Sequence, residues 1–371
     1  MHRLLLTVTC IGTAIASGAT IGGYSQTNLV SNIPGLAAQT DAHLVNPWGI
    51  SFGPTSPFWV SDNGAGLATL YNSAGAPVPL VVTIPGVGGA KGAPTGQVFN
   101  GSGKFNGDVF VFATEDGTIA GWRGALGTTA ETLFDNSTSN AVYKGLAIET
   151  TASGTYLLAA DFRNNMISVF ASTGAAALPG TFSDPGVPSG YAPFNIQNIA
   201  GQLYVTYAKQ NATKHDDVAG AGNGYVSIFD LNGNLVKRLA SNGALNSPWG
   251  LAIAPASFGA AAGDLLIGNF GDGTINAFNL NGTLIGTIGT TGGSALVNSG
   301  LWGLTFGNGG NGGSPNALYL TAGLNGEQDG LFAQINAVPE PATLILLGAG
   351  LSVLALRRRK CQSPQIPNCP E

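Results

Sequence analysis

Short runs of alternating apolar and polar residues, separated by clusters of Gly, Asp and Asn, fill the chain from about residue 20 to residue 337. The stretch beginning at Gly250 shows the internal logic. Gly250-Leu251-Ala252-Ile253-Ala254 predicts one strand and Gly263 to Asn269 a second. After the Gly271-Asp272-Gly273 turn, Thr274-Ile275-Asn276-Ala277-Phe278 alternates as a half-buried strand does. Asn281-Gly282 is a two-residue hairpin signal, and Leu284 to Ile288 follows as a fourth strand. Asn232-Gly233 repeats that turn one unit earlier, behind Tyr225 to Phe229. Equivalent second strands are Phe58-Trp59-Val60-Ser61-Asp62, Asp108 to Phe112, Tyr156 to Asp161, Leu203 to Thr206 and Ala317 to Thr321.

The units are copies of one pattern. Pro47-Trp48-Gly49, Pro248-Trp249-Gly250 and Leu301-Trp302-Gly303 open the clearest three. Thr95-Gly96-Gln97, Lys144-Gly145-Leu146 and Asn195-Ile196-Gln197 open weaker ones, with Ile196 in the glycine position. The markers at 49, 96, 145, 196, 250 and 303 are 47, 49, 51, 54 and 53 residues apart. A period near fifty with four short strands per unit predicts an all-β fold, a six-bladed β-propeller of NHL-like architecture over residues 20–337. A β-sandwich would not need such even spacing. The last unit runs out after Leu331 to Ile335, so the strand candidate Asn28-Leu29-Val30-Ser31 is expected to complete it and close the ring.

The two ends follow other patterns. Met1-His2-Arg3, the apolar run Leu4 to Ala16 and the small residues Ala14-Ile15-Ala16 read as a signal peptide, assigned to residues 1–19. At the other end, Pro339-Glu340-Pro341 precedes an apolar run, Ala342 to Leu356, and the basic cluster Arg357-Arg358-Arg359-Lys360. As a helix that run rises about 22 Å, short of a ~30 Å hydrocarbon core, a mismatch that bilayer thinning and snorkelling accommodate. The basic cluster marks the cytoplasmic side, with residues 361–371 as a cytoplasmic tail.

The three parts of segment 338–360, in this order, resemble the PEP-CTERM sorting signal of Gram-negative bacteria. The resemblance implies a membrane-anchored intermediate in the inner membrane, recognised by an exosortase-type enzyme and delivered to the cell surface or extracellular matrix. Asn28 to Ser31, Asp41, Leu44 to Gly49, Phe58 to Asn63 and Leu70-Tyr71 also resemble a family of exported bacterial proteins of this type. The repeat is similar to NHL-type and gluconolactonase-like propellers in architecture alone.

Composition narrows the chemistry. The cysteines are Cys10, Cys361 and Cys369, so the exported body has no disulfide, thiolate zinc site or cysteine nucleophile. Without Arg3, the four tail bases, Glu340 and Glu371, nine basic and seventeen acidic residues remain, a net charge of −8. No basic patch is present, which argues against a nucleic-acid partner. Charged residues make up 9% of the chain and Gly numbers 57, a composition of turns and strands.

Asp62, Glu115 with Asp116, Asp161 and Asn269 end second strands at equivalent points, where a propeller opens its central channel. Converging oxygens there would suit Ca²⁺, which takes 6–8 oxygen ligands. The competing reading makes them turn residues that bond their own backbone. Trp48, Trp249 and Trp302 are assigned to packing between blades. His43 and His215 are the only histidines of the body, and no Gly-x-Ser-x-Gly elbow or His-x-x-x-His pair accompanies them. Two functions stay open. One is a surface or matrix module binding polysaccharide or protein; the alternative is a Ca-dependent lactonase or hydrolase with its site at the channel mouth. Scarcity of histidine, charge and cysteine favours the first.

Overall fold

Each alternating run pairs with the next through a short turn, and the computed structural model describes the result over residues 19–338. The signal-peptide core, Pro339-Glu340-Pro341, the apolar segment and Arg357 to Arg359 lie outside the described residues. The fold is all-β and propeller-like. Its sheets are antiparallel meanders, such as Pro47–Ser51, Phe58–Asp62, Leu67–Tyr71 and Val82–Thr83. Pro94–Phe99 and Tyr191–Ile199 each open a further four-stranded sheet in the same way. Among the described residues no helix is long and apolar enough to cross a membrane.

The unit opening at Tyr143–Thr151 departs from the expected four strands. It has three, with Gly154–Asp161 and Met166–Ala171. The stretch that follows holds Pro179, Pro185 and Pro188, which lack the N–H a ladder strand must donate. Instead it leans on the neighbouring hairpin, the amides of Gly180 and Phe182 donating to Asn232 and Gly233 carbonyls at 2.8 and 3.0 Å.

The expected closure by the N-terminal strand is present and longer than Asn28 to Ser31. Thr20–Ser31 pairs antiparallel with Asp329–Ala337, from Tyr24↔Ala337 to Ser31↔Leu331. Its other edge runs parallel to Leu284–Thr290, with Thr20 opposite Thr287. Two meanders thereby fuse into one nine-stranded sheet. Tyr24 pins the join: its hydroxyl donates to the Phe258 carbonyl at 3.0 Å and accepts from the Ala261 amide at 2.9 Å.

The strands opening the units lie innermost, each beside the next, with Leu301–Phe306 returning to Pro47–Ser51. Their approach is close enough to demand glycine. A Cβ on Gly96 would sit 2.3 Å from the Leu146 amide nitrogen, and one on Gly250 2.4 Å from the Trp302 carbonyl. This corrects one marker. In the unit at Tyr191–Ile199 the bulge falls between Pro193 and Asn195, so Asn195, and not Ile196, aligns with Gly145. The Asn195 amide donates to the Trp249 carbonyl at 2.8 Å and so spans the gap that backbone contact closes elsewhere.

Candidate functional site: an axial aromatic layer, a polar mouth and a cavity

Every innermost strand is irregular at its start, at Pro47/Ile50, Pro94/Gln97, Tyr143/Gly145, Pro193/Asn195, Pro248/Leu251 and Leu301/Leu304. Such bulges re-aim side chains. At these bulges Trp48, Lys144, Phe194, Trp249 and Trp302 come together. The Trp48 and Trp302 rings stack at 3.5 Å between centroids, and Trp249 meets both edge-on at 6.3 and 5.7 Å. Phe270 stacks on Trp302 at 4.1 Å. The tryptophans pack, as expected, but on one another at the axis instead of separately between blades.

On one side of this layer lies a polar mouth. Lys144 is 2% exposed, in a place where three other strands put tryptophan. Its ammonium sits 5.0 Å from the Trp48 ring centroid, within cation–π range. It donates to Glu115 Oε1 and lies 3.4 Å from Asp216 Oδ1. Asn63 donates to the other Glu115 oxygen at 2.9 Å, and His215 Nδ1 lies 2.7 Å from Asp216. Burial pushes the Lys144 pKa down, but the two carboxylates outweigh it and the ammonium is held above its ordinary value. His215 and Lys144 hold Asp216 down to about 2. Glu327 faces the same group, and burial, with Glu115 nearby, raises its carboxyl.

Of the five residues read from the sequence, only Glu115 enters this cluster. Asp62 is fully buried, accepts from the Thr69 hydroxyl at 2.8 Å and is raised well above the carboxylate range by desolvation. Asp116 accepts from the Ala93 amide at 2.8 Å. Asp161 binds the Val142 amide at 3.2 Å and the Asn164 side chain at 2.8 Å. Asn269 accepts from the Asn246 amide at 3.1 Å and donates to the Ala244 carbonyl at 2.8 Å. Asp116, Asp161 and Asn269 brace loops, the role Asp and Asn take in turns, whereas Asp62 ties its strand to the neighbouring one through Thr69.

On the other side of the tryptophans the innermost strands enclose a cavity of about 400 Å³. Residues directly after the aromatic layer line it, among them Ser51, Phe52, Gln97, Phe99, Asn195 and Thr305. No charged side chain is among its lining residues.

Residues 337–360 match the PEP-CTERM protein-sorting motif. The chain is 34% identical to uncharacterized protein R648 of Acanthamoeba polyphaga mimivirus over 330 residues, 83% of this chain and 78% of R648. It belongs to the R648 family. Uncharacterized protein L690 of the same virus is 35% identical over 294 residues, 74% of this chain and 77% of L690. These relatives are viral, whereas the sequence resemblance pointed to exported bacterial proteins. A streptogramin B lyase structure covers 85% of this chain and 98% of its own at a TM-score of 0.51 and 11% identity, a likeness of propeller-like fold alone.

Lys144 is the residue of this R648-family chain that sequence reasoning passed over. Its signal was in view: aligned on the glycines, Tyr143-Lys144-Gly145 sets lysine against the tryptophan of Pro47-Trp48-Gly49. A cation in an aromatic column requires an acid opposite, and Glu115 directly follows the neighbouring unit's second strand, Phe110–Thr114.

Proposed function

We propose that the chain is an exosortase substrate whose six-bladed propeller is displayed at the cell surface or in the extracellular matrix as a binding module for polysaccharide or protein. The observation that carries this reading is the sorting motif, whose match begins at residue 337, where the last propeller strand ends. Residues 1–19 serve as the export signal, and 338–360 as the membrane-anchored sorting segment. A ring tied shut by its own N-terminal strand is a rigid scaffold, and its preformed axial cavity falls within the 300–1,000 Å³ range of small-molecule sites.

The polar mouth argues against the lactonase alternative. Glu115, His215 and Asp216 bring ligand atoms within 4.8 Å of one another. The Lys144 ammonium lies among them and supplies the positive charge that a cation would bring, and the three side chains alone leave most of the 6–8 oxygens calcium takes to water. For that reason the binding module is the reading preferred here.

Delivery is testable in an exosortase-bearing host. Changing Pro339-Glu340-Pro341 to alanines is expected to retain the protein in the inner-membrane fraction at a higher mass than the wild type. Arrival of the variant in the same compartment at the same mass overturns the reading.

A further inference from the structure

We propose that Lys144 and Asn63 join in an amide bond, formed within the folded chain with Glu115 as the proton carrier and with release of ammonia. The inference goes beyond the sorting and display of the propeller and does not depend on them.

Three consecutive units bring one residue each to the reaction. Asn63 directly follows Phe58–Asp62, Glu115 follows Phe110–Thr114, and Lys144 sits at the bulge of Tyr143–Thr151. Glu115 holds both reactants on one carboxylate. The Lys144 ammonium donates to its Oε1, and the Asn63 side-chain nitrogen donates to its Oε2 at 2.9 Å. The same acid therefore touches the nucleophile and the leaving group. Asn46 donates to Asn63 Oδ1 at 3.3 Å, on the oxygen where negative charge develops during attack. The backbone fixes all three residues. The Asn63 amide donates to the Asn46 carbonyl at 3.1 Å, the Glu115 amide to the Ala93 carbonyl at 3.0 Å, and Trp249 Nε1 to the Lys144 carbonyl at 3.1 Å.

The step balances within these groups. Glu115 takes one proton from the ammonium, leaving a neutral amine beside a carboxylic acid. The amine lone pair forms the Nζ–Cγ bond to Asn63, and the carbonyl π pair moves to Oδ1. Glu115 gives its proton to the Asn63 side-chain nitrogen and takes one from Nζ. As the carbonyl re-forms, the Cγ–Nδ2 bond breaks and ammonia leaves with that electron pair. An amide remains in place of an ammonium and a side-chain amide, and Glu115 ends neutral, so no uncompensated charge is left in the column.

The surroundings favour the exchange and set its pace. Lys144 is 2% exposed against the Trp48 ring, where burial penalises an ion pair relative to its neutral form. Its two carboxylates nonetheless hold the ammonium above its ordinary pKa, so the ion pair is the resting state and the bond accumulates slowly. Asp216 lies 3.4 Å from the same ammonium but is held down to about 2, and an amine does not attack a carboxylate. The amide of Asn63 is the electrophile. In an exported body without cysteine, such a bond braces the first unit against the third with no redox chemistry.

The experiment is mass spectrometry of the mature exported protein, intact and after proteolysis, when freshly purified and after prolonged incubation at growth temperature. Incubation is expected to remove the mass of one ammonia and to yield a branched peptide joining Lys144 to Asn63. Asn63-Gly64 can lose the same mass by closing a succinimide on its own backbone, although the Gly64 amide is engaged by the Val45 carbonyl at 3.1 Å. Lys144→Met keeps that dipeptide and separates the two routes. Asn63→Ala leaves the Lys144–Glu115 pair in place, so its folding is not at stake. Neither variant is expected to lose ammonia, and Glu115→Gln is expected to slow the reaction about a hundredfold, the contribution of a positioned proton-transfer group. The inference is overturned if incubated wild type yields no branched peptide or if Lys144→Met loses ammonia as fast as the wild type. It is equally overturned if Lys144 links to Glu115 or Asp216 with loss of water, or if Glu115→Gln forms the bond at the wild-type rate.

Discussion

Lys144 stands in an aromatic column because Glu115 and Asp216 meet its ammonium from neighbouring loops. A buried charge of this kind is stable only while paired, and removing one partner of a buried pair costs about 3–5 kcal/mol. That is a large part of a typical 5–15 kcal/mol stability. Lys144→Met, which leaves Glu115 without its cation, is therefore expected to lower the urea midpoint, by less than that full amount because the Glu115 side chain keeps 14% of its surface in water. Adding Glu115→Gln should restore much of the loss, since Asn63 still reaches that side chain. A Lys144→Met midpoint equal to the wild type would mean that the pair is solvated. The sequence named Glu115 and passed over its partner, because a repeat aligned on Trp-Gly draws the eye to the copies that keep tryptophan. Asp161 and Asn269 were legible as turn residues by the same rule that made them ligand candidates, while Asp62 bonds Thr69 in the next strand. A one-dimensional pattern cannot say whether a carboxylate turns toward the axis or back to its own backbone.

At the scale of elements, the hairpins were the most legible feature. Asn232-Gly233 and Asn281-Gly282 turn where expected, but as longer loops than two residues: the Gly233 and Gly282 amides donate to the Asp230 and Asn279 carbonyls, and only the glycines are left-handed, at φ of 83° and 92°. The three-stranded unit was harder to foresee, because alternation is read over a window and prolines at 179, 185 and 188 act one residue at a time. The marker at Ile196 was off by one residue for a related reason: a bulge shifts side-chain register, and nothing in Phe194-Asn195-Ile196 announces where it falls. The N-terminal strand Thr20–Ser31 gives the sharpest test at this scale. It pairs on both edges, so removing residues 20–31 would bare Leu284–Thr290 and Asp329–Ala337 together. Unpaired edges recruit strands from other chains. The truncated protein is expected to aggregate or unfold as one cooperative unit, whereas a truncation ending at residue 19 should melt like the mature wild type. A monomeric 20–31 deletion with an unchanged melting temperature would show that the ring closes by other contacts.

Across the whole molecule, buried carboxyls set how stability follows pH. Glu149 is 2% exposed and neither of its oxygens has a partner among the described residues. Its pKa is raised from the ordinary 4.5 to about 8, chiefly by burial. The folded state therefore keeps a proton that the unfolded chain releases, and stability must fall as pH rises from about 4.5 toward 8. The slope for one such group is at most about 1.4 kcal/mol per pH unit. Asp62, raised well above its ordinary range by desolvation, works in the same direction. Asp216 works in the opposite direction at lower pH. Its pKa is lowered from 3.8 to about 2, so the stability it contributes is present above 3.8 and is lost as pH falls toward 2. Together these groups place the maximum in mildly acidic solution, near the crossover of the two windows. Urea midpoints taken from about pH 3 to pH 9 should trace that dome. Glu149→Gln, neutral at every pH, should flatten the limb between about pH 5 and 8 and leave the acidic limb unchanged. A variant curve that parallels the wild type through that window would mean that Glu149 ionises freely in the folded protein, and that its carboxylate reaches water.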